Sequence, residues 1–186
     1  MPGSIKIDDG SGNYTILTNA GSLGSDKTIT IPNETGTLNL QSGSVLQVVV
    51  GTDTKDNGNV ITETTFQDTG LSASITPSST SSKILVIVTH QILVYAPGTI
   101  PFANLQLLRD STTINLGSSG HKADDHPSDN NAYIADSFSF CTLDSPSSTS
   151  SLTYKLQFRI PAGGGTITTQ TNGSRSTITL FEVAPN

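Results

Sequence analysis

The chain has 186 residues and a mass of 19.4 kDa, which predicts one compact domain with a small appendage. Its 25 Ser and 27 Thr favour strands and turns over helices. The net charge is −6 and the nine Lys and Arg are scattered singly, which excludes a phosphate-binding surface and therefore nucleic acid as a partner. The sequence opens without a basic segment followed by an apolar one and has no bilayer-length apolar run, so we expect cytosolic synthesis and no membrane partner.

The first 43 residues predict a series of short β segments separated by turns. These segments are residues 4–7, 14–17, 27–31 and 37–40. Each is too short for a helix and alternates with a period of two. The segment contains too few large apolar side chains to offset the entropy of ordering its backbone. We therefore expect residues 1–43 to form a β arm that docks on another surface or intertwines with copies of itself.

Residues 44–186 predict an all-β domain, which we call the knob. Longer and more apolar strands begin at Val45, and no helical periodicity interrupts them. Their number and length favour an antiparallel, jelly-roll-like β-sandwich. Turn residues predict one hairpin at Gly70 and another at Asp110 and Ser111.

Two strand patterns indicate where the core of the knob lies. Residues 83–95 are apolar on both faces over their first half, a pattern typical of a central strand that is covered on both sides. Residues 152–160 alternate strictly between apolar and polar side chains. This alternation predicts five core residues: Leu152, Tyr154, Leu156, Phe158 and Ile160.

The chain lacks a recognisable catalytic motif. No nucleophile with a nearby base occurs in a supporting context, so we expect no enzyme activity and no cofactor. Cys141 lies in an apolar and aromatic run, which predicts a buried, inert thiol. His90 lies in an apolar strand and is expected to be a hydrogen-bonded histidine of the core or of a subunit interface.

One polar segment, residues 121–131, collects two of the three histidines together with several aspartates. A metal site is one interpretation, since the two histidines, His121 and His126, occur with three aspartates: Asp124, Asp125 and Asp129. The spacing of these residues on a predicted loop does not bring the ligands together, however. The favoured interpretation is a solvated loop, free of metal, that faces a receptor.

The stretch Lys27–Leu38, KTITIPNETGTL, resembles a phrase that recurs in β-rich structural proteins of tailed bacteriophages, particularly fibres and decoration proteins. Residues 66–71, 75–86 and 176–183 look like parts of the compact β domain of phage virion proteins. Such proteins are usually homotrimers fixed to a capsid or a tail. The resemblance implies a structural protein at the virion surface.

Two functions agree with this resemblance. In the first, the chain is a trimeric capsid decoration, or cement, protein whose arm binds the major capsid protein. The arm would then bury seven apolar residues against the capsid or neighbouring subunits: Ile5, Ile7, Tyr14, Ile16, Ile29, Ile31 and Leu38. In the second, it is a short tail fibre or head-fibre tip that recognises a host receptor or glycan through loops such as 117–131. A third and weaker option, from another class, is a lectin-like carbohydrate binder on a capsid head fibre; few aromatic residues lie near the predicted loops to form a sugar-binding surface.

Overall fold

The computed structural model describes residues 5–8, 11, 14–17, 43–55, 58–97, 103–119, 131–161, 165–171 and 173–185. Of residues 5–8, 14–17, 116–119, 131, 132, 134 and 136 it describes the backbone alone. The chain divides into two compact units, Met1–Leu38 and Asn39–Asn186. In the first unit, strands β1 (Ile5–Asp8) and β2 (Tyr14–Leu17) pair antiparallel. The assignment of residues 1–43 to an anchoring arm stays a prediction.

The described part of the second unit contains ten strands. They are β3 (Val45–Asp53), β4 (Val60–Ile61), β5 (Gln67–Ile75), β6 (Lys83–Pro97), β7 (Ala103–Arg109), β8 (Thr112–Ser119), β9 (Asn131–Asp144), β10 (Leu152–Arg159), β11 (Thr166–Thr169) and β12 (Ser176–Val183). They form two antiparallel sheets, and the expected β-sandwich is confirmed. Within the described ranges there is no helix, and hence none of membrane-spanning length.

The smaller sheet has the order β5–β10–β7–β8. The larger sheet is organised around β6, which pairs with β9 along one edge. The other edge of β6 pairs with β12 over its first half and with β11 over its second half. Strand β3 lies beyond β12, and β4 lies beyond β11. Strand β6 is therefore central within its sheet, as its length and apolar content lead one to expect.

The core lies between the inner faces of the two sheets. Strands β6, β10 and β12 bury every second side chain, because successive side chains of a strand point to opposite faces. The larger sheet contributes Ile84, Val86 and Val88, all with 0% exposure. The five core residues predicted from the alternation in β10 are all buried, and that prediction is confirmed.

One predicted hairpin is confirmed and the other is wrong. Strands β7 and β8 form the hairpin at Asp110, whose φ is 54°. Strand β5, in contrast, runs through Gly70 without turning. Gly70 has a φ of 93°, and the pairing of β5 with β10 shifts register between Lys155 and Gln157. The glycine thus accommodates a β-bulge, which needs the same backbone freedom as a turn.

Candidate functional site

The outward face of the larger sheet carries a group of apolar side chains around the first half of β6. Pairing aligns one row across four strands: Val48, Phe181, Leu85 and Leu143. The adjacent row is Val50, Thr179, Ile87 and Cys141. Leu46 extends the group at the start of β3. We call these nine residues the apolar face.

Much of the apolar face is open to solvent. Leu46, Val48, Val50 and Leu143 are 49–57% exposed, and Ile87 is 37% exposed. None of the nine residues carries a charge. Contiguous apolar patches on a soluble protein mark sites of interaction with other molecules. The apolar face is therefore the candidate functional surface of the knob.

The apolar face corrects one sequence-based prediction. The pattern of residues 83–95 predicted a strand covered on both sides. Strand β6 is covered on its inner side, where Val86 is fully buried, whereas the outward Ile87 remains accessible. Residues of both faces are apolar, but only one face packs on the smaller sheet. The prediction that β6 is covered on both sides is wrong for a single chain. The outward apolar side chains of β6 do not pack against the smaller sheet.

Strand β9 forms one border of the apolar face. It has 14 residues, and among the described strands it pairs only with β6. Its segment 137–143 contains no charged residue, although charges are a usual protection against pairing at exposed sheet edges. Cys141 is exposed, so the prediction of a buried thiol is wrong. The run around it is apolar, but alternation turns Cys141 outward while Phe138 and Phe140 pack against the core.

A polar cluster attaches the end of β9 to the smaller sheet. The Arg109 guanidinium donates to both carboxylate oxygens of Asp144, at 2.7 and 2.6 Å. The hydroxyl of Tyr154 donates to the same carboxylate at 2.7 Å. Burial, followed by the hydrogen bond to Asp144, raises the pKa of Tyr154 above its ordinary value. The cluster keeps the tyrosine protonated and fixes the border of the apolar face.

A second cluster lies beneath the same region, where Glu182 of β12 turns into the sandwich. Its carboxylate accepts hydrogen bonds from Nε2 of Gln47 at 2.7 Å and from the backbone N–H and hydroxyl of Ser78 at 2.7 and 2.6 Å. Burial raises the pKa of Glu182, but these hydrogen bonds outweigh it and lower the pKa to about 2. The cluster ties the β5–β6 connection to the larger sheet.

His90 is buried in the sandwich, as predicted, with 0% exposure. Its ring stacks on Phe138 with centroids 5.7 Å apart and meets the edge of Phe158 at 5.4 Å. Among the described residues neither ring nitrogen has a hydrogen-bond partner, so the hydrogen bond expected for His90 is not found there. Burial lowers the pKa of His90 to about 4, despite the opposing effects of the backbone at Gln91 and the charge of Asp53.

At the other end of β6, two aromatic side chains meet on the outward face. The rings of Tyr95 and Tyr133 are tilted at 30° with centroids 4.7 Å apart. Tyr133 is 60% exposed. Exposed tyrosines offer an apolar ring together with a polar hydroxyl, a combination suited to a sugar ring.

The residues predicted from the sequence to make contacts lie elsewhere. Ile5 and Ile7 lie in β1, and Tyr14 and Ile16 lie in β2. Pairing sets Ile5 opposite Leu17 and Ile7 opposite Thr15. Three further predicted contacts lie outside the described residues: Ile29, Ile31 and Leu38.

The predicted receptor loop also lies outside the described residues, with His121, Asp124, Asp125 and His126. Among the side chains that the structure describes, no three histidine, cysteine or acidic residues lie close enough to share a metal ion. The apolar face itself was not identified from the sequence. The sequence feature that could have identified it is the apolar pattern on both faces of residues 83–95, from which we predicted a strand covered on both sides within the chain.

No protein-family model and no curated protein matches the chain. Among solved structures, the chain is similar to dimeric latent PorU from Porphyromonas gingivalis, with a TM-score of 0.41 and 7% identity over 96% of this chain and 17% of that one. It is also similar to a chain of the T13 particle of IBDV, with a TM-score of 0.34 and 13% identity over 94% of this chain and 43% of the other. The similarity to the structure of the Gx strain of infectious bursal disease virus has a TM-score of 0.36 and 14% identity, over 95% of this chain and 44% of the other. The chain thus spans less than half the length of each of these proteins.

Proposed function

We propose that the chain is a structural protein of a virion, and specifically a homotrimeric decoration protein on the outside of a capsid. One observation supports this proposal above the others: the knob exposes an uncharged apolar face across four strands of one sheet. A protein with this surface is built to assemble with other chains. The phage-like phrase at residues 27–38 favours a virion as the place of assembly.

In this proposal the protein acts by adhesion. The arm, which includes β1 and β2, would bind the major capsid protein, with strand addition to exposed sheet edges as one route. Three arms on one trimer would bind three neighbouring sites. Linked binding of this kind strengthens attachment by roughly 10²–10⁴-fold over a single arm without any new contact. Catalysis, cofactors and nucleic acid have no part in this role.

A second candidate function is recognition of a host receptor or glycan by a short fibre. The observation that favours it is the contact between the half-buried Tyr95 and the exposed Tyr133. Tyr133 lies in β9, which begins at Asn131, directly after the predicted receptor loop. In this role, Tyr133→Ala would abolish binding to host cells and leave the knob folded.

Localisation on intact particles tests the proposal. Antibody fragments against residues 44–186 are bound to virions and viewed by electron microscopy. A regular label over the head supports the decoration role and directs mutagenesis to the arm. A label confined to the tail supports the fibre and directs mutagenesis to Tyr95, Tyr133 and the adjoining loop. Absence of label from both would refute the virion assignment.

A further inference from the structure

We propose that the apolar face is the surface on which copies of this chain meet. In the trimer, the larger sheets of three knobs would turn their apolar faces toward the three-fold axis. The inference rests on the proposed function, which includes a trimer, and it identifies the surface through which the three chains would contact one another.

The area of the apolar face suits such an interface. Complete burial of an aliphatic side chain removes on the order of 100 Å² of apolar surface from water. With five aliphatic residues about half exposed, and Phe181, Leu85 and Cys141 beside them, the face offers roughly 300–400 Å². A standard interface contributes about 800 Å² per partner, of which somewhat more than half is apolar. The apolar face therefore provides most of the apolar area that one partner needs.

Charge is compatible with a second copy as the occupant. Each chain has a net charge of −6, so two copies repel each other least when they meet through a surface that carries no charge. The apolar face provides such a region, because its nine residues are aliphatic, aromatic, hydroxyl or thiol. Depletion of charge and enrichment in apolar residues are typical of permanent interfaces between identical subunits. A transient partner would leave this surface exposed for much of its lifetime.

The border of the face supports the same occupant. Strand β9 leaves a long, uncharged edge unpaired among the described strands, and this edge adjoins Cys141 and Leu143. Left in solvent, such an edge promotes uncontrolled pairing between chains. A closed trimer would bury the face and shield the edge together. The two-sided apolar pattern of β6 then has its explanation in a covering layer supplied by other copies.

The mass of the full-length protein in solution tests the inference. Light scattering coupled to size exclusion should give about 58 kDa for the wild type, three times the mass of the 19.4 kDa chain. Val48→Asp and Leu143→Asp place a charge at opposite ends of one row of the face, and each should reduce the mass to that of one chain. Val60→Asp is the matched control, because Val60 is outward on the same sheet and 60% exposed but lies outside the apolar face. It should stay trimeric.

The single thiol gives an independent measurement on the unmodified protein. Cys141 lies within the apolar face, so in a trimer it reacts only in the dissociated fraction, and labelling should be more than about tenfold slower than in the Leu143→Asp variant. Where the Leu143→Asp variant fails to fold, the wild-type chain unfolded in urea serves as the reference for the labelling rate, so the assay still decides the matter. A trimer with a freely reactive Cys141, or trimeric Val48→Asp and Leu143→Asp variants, would overturn the inference. A monomeric wild type with a protected thiol would also overturn it, since its own chain would then cover the face.

Failure of the proposed function gives a different result. If the wild type is trimeric and the two aspartate variants are monomeric, the interface is established whatever the localisation on particles. A trimer of this kind that labels neither head nor tail would refute the virion role alone. A wild type that is monomeric at micromolar concentration, with a reactive thiol, would refute the trimer and the interface together.

Discussion

Acidification should destabilise the knob through His90. The side chain is fully buried between Phe138 and Phe158, and its ring nitrogens have no hydrogen-bond partner within the part of the chain that the structure describes. Its pKa is about 4 in the folded chain and 6.5 in the unfolded chain. As the pH falls below 6.5, the unfolded chain therefore binds a proton that the folded chain does not. The stability is fully present above pH 6.5 and is lost progressively as the pH falls to 4.

The size of this effect follows from the two pKa values. A difference of one pKa unit corresponds to about 1.4 kcal/mol, so the total loss is about 3 kcal/mol. Between pH 7.5 and 5 the expected loss is about 2 kcal/mol. Glu182 contributes at lower pH, because its pKa falls from 4.5 to about 2 and its stabilisation is lost only below pH 4.5. The range from pH 6.5 to 5 therefore isolates the histidine.

Urea unfolding of the full chain between pH 5 and 7.5 measures this loss. Tyrosine fluorescence or circular dichroism follows the transition, since the chain has no tryptophan, and the protomer concentration stays fixed. His90→Phe keeps a ring between the two phenylalanines and removes the titrating group. Its stability should be flat from pH 7.5 to 5. If the variant keeps the wild-type loss of about 2 kcal/mol over this pH range, another group is responsible and the reasoning fails.

Three further predictions concern the polar clusters and the arm. Asp144→Asn should lower the free energy of unfolding by about 2 kcal/mol, because Arg109 keeps its charge and loses its carboxylate partner. Tyr154→Phe should lower it by about 1 kcal/mol, because it removes the hydrogen bond from the tyrosine hydroxyl to Asp144. Glu182→Gln should cost about 1–2 kcal/mol at pH 7 and remove the pH dependence between 4.5 and 2. Deletion of residues 1–43 should leave a folded knob that no longer binds particles, as seen by co-sedimentation with virions.

Each of these predictions has a result that contradicts it. Additive losses in the Asp144→Asn/Tyr154→Phe double variant would mean that the shared carboxylate does not couple the two side chains. A Glu182→Gln variant with an unchanged acid slope would assign that slope to another carboxylate. A truncated knob that aggregates would show that residues 1–43 belong to the core, and one that still co-sediments would place the capsid contact in the knob.

The sequence predicted those features of the fold that depend on local patterns. Alternation in residues 152–160 located the core side of β10, because the period of a strand allows only one assignment of faces. The turn at Asp110 was predictable because its neighbours are strongly β-forming. Gly70 was misinterpreted, since turns and bulges both require a residue that tolerates positive φ. The distinction depends on the partner strand β10, which lies more than 80 residues away.

The candidate surface was less predictable for a related reason. Cys141 lies in an apolar run that is typical of a core strand, but alternation places its thiol on the outer face of the larger sheet, which the smaller sheet does not cover. Likewise, the apolar pattern of β6 indicates that both faces are covered, but it does not say which chain covers them. The contact between Arg109 and Asp144 joins residues that are far apart in the sequence and belong to different sheets. Neither residue has a local signal that identifies its partner.

The strand order of the larger sheet also has a consequence for the timing of folding. Val50 of β3 pairs with Thr179 of β12, which is synthesised 129 residues later, and β12 separates β3 from β6. During translation, the edges of β3 and of the first half of β6 that pair with β12 stay unpaired until β12 leaves the ribosome. Folding with such distant pairings is slow, and open apolar strands aggregate readily. High-level expression should therefore depend on chaperones and on low temperature, and the knob should acquire its structure only after synthesis of β12 is complete.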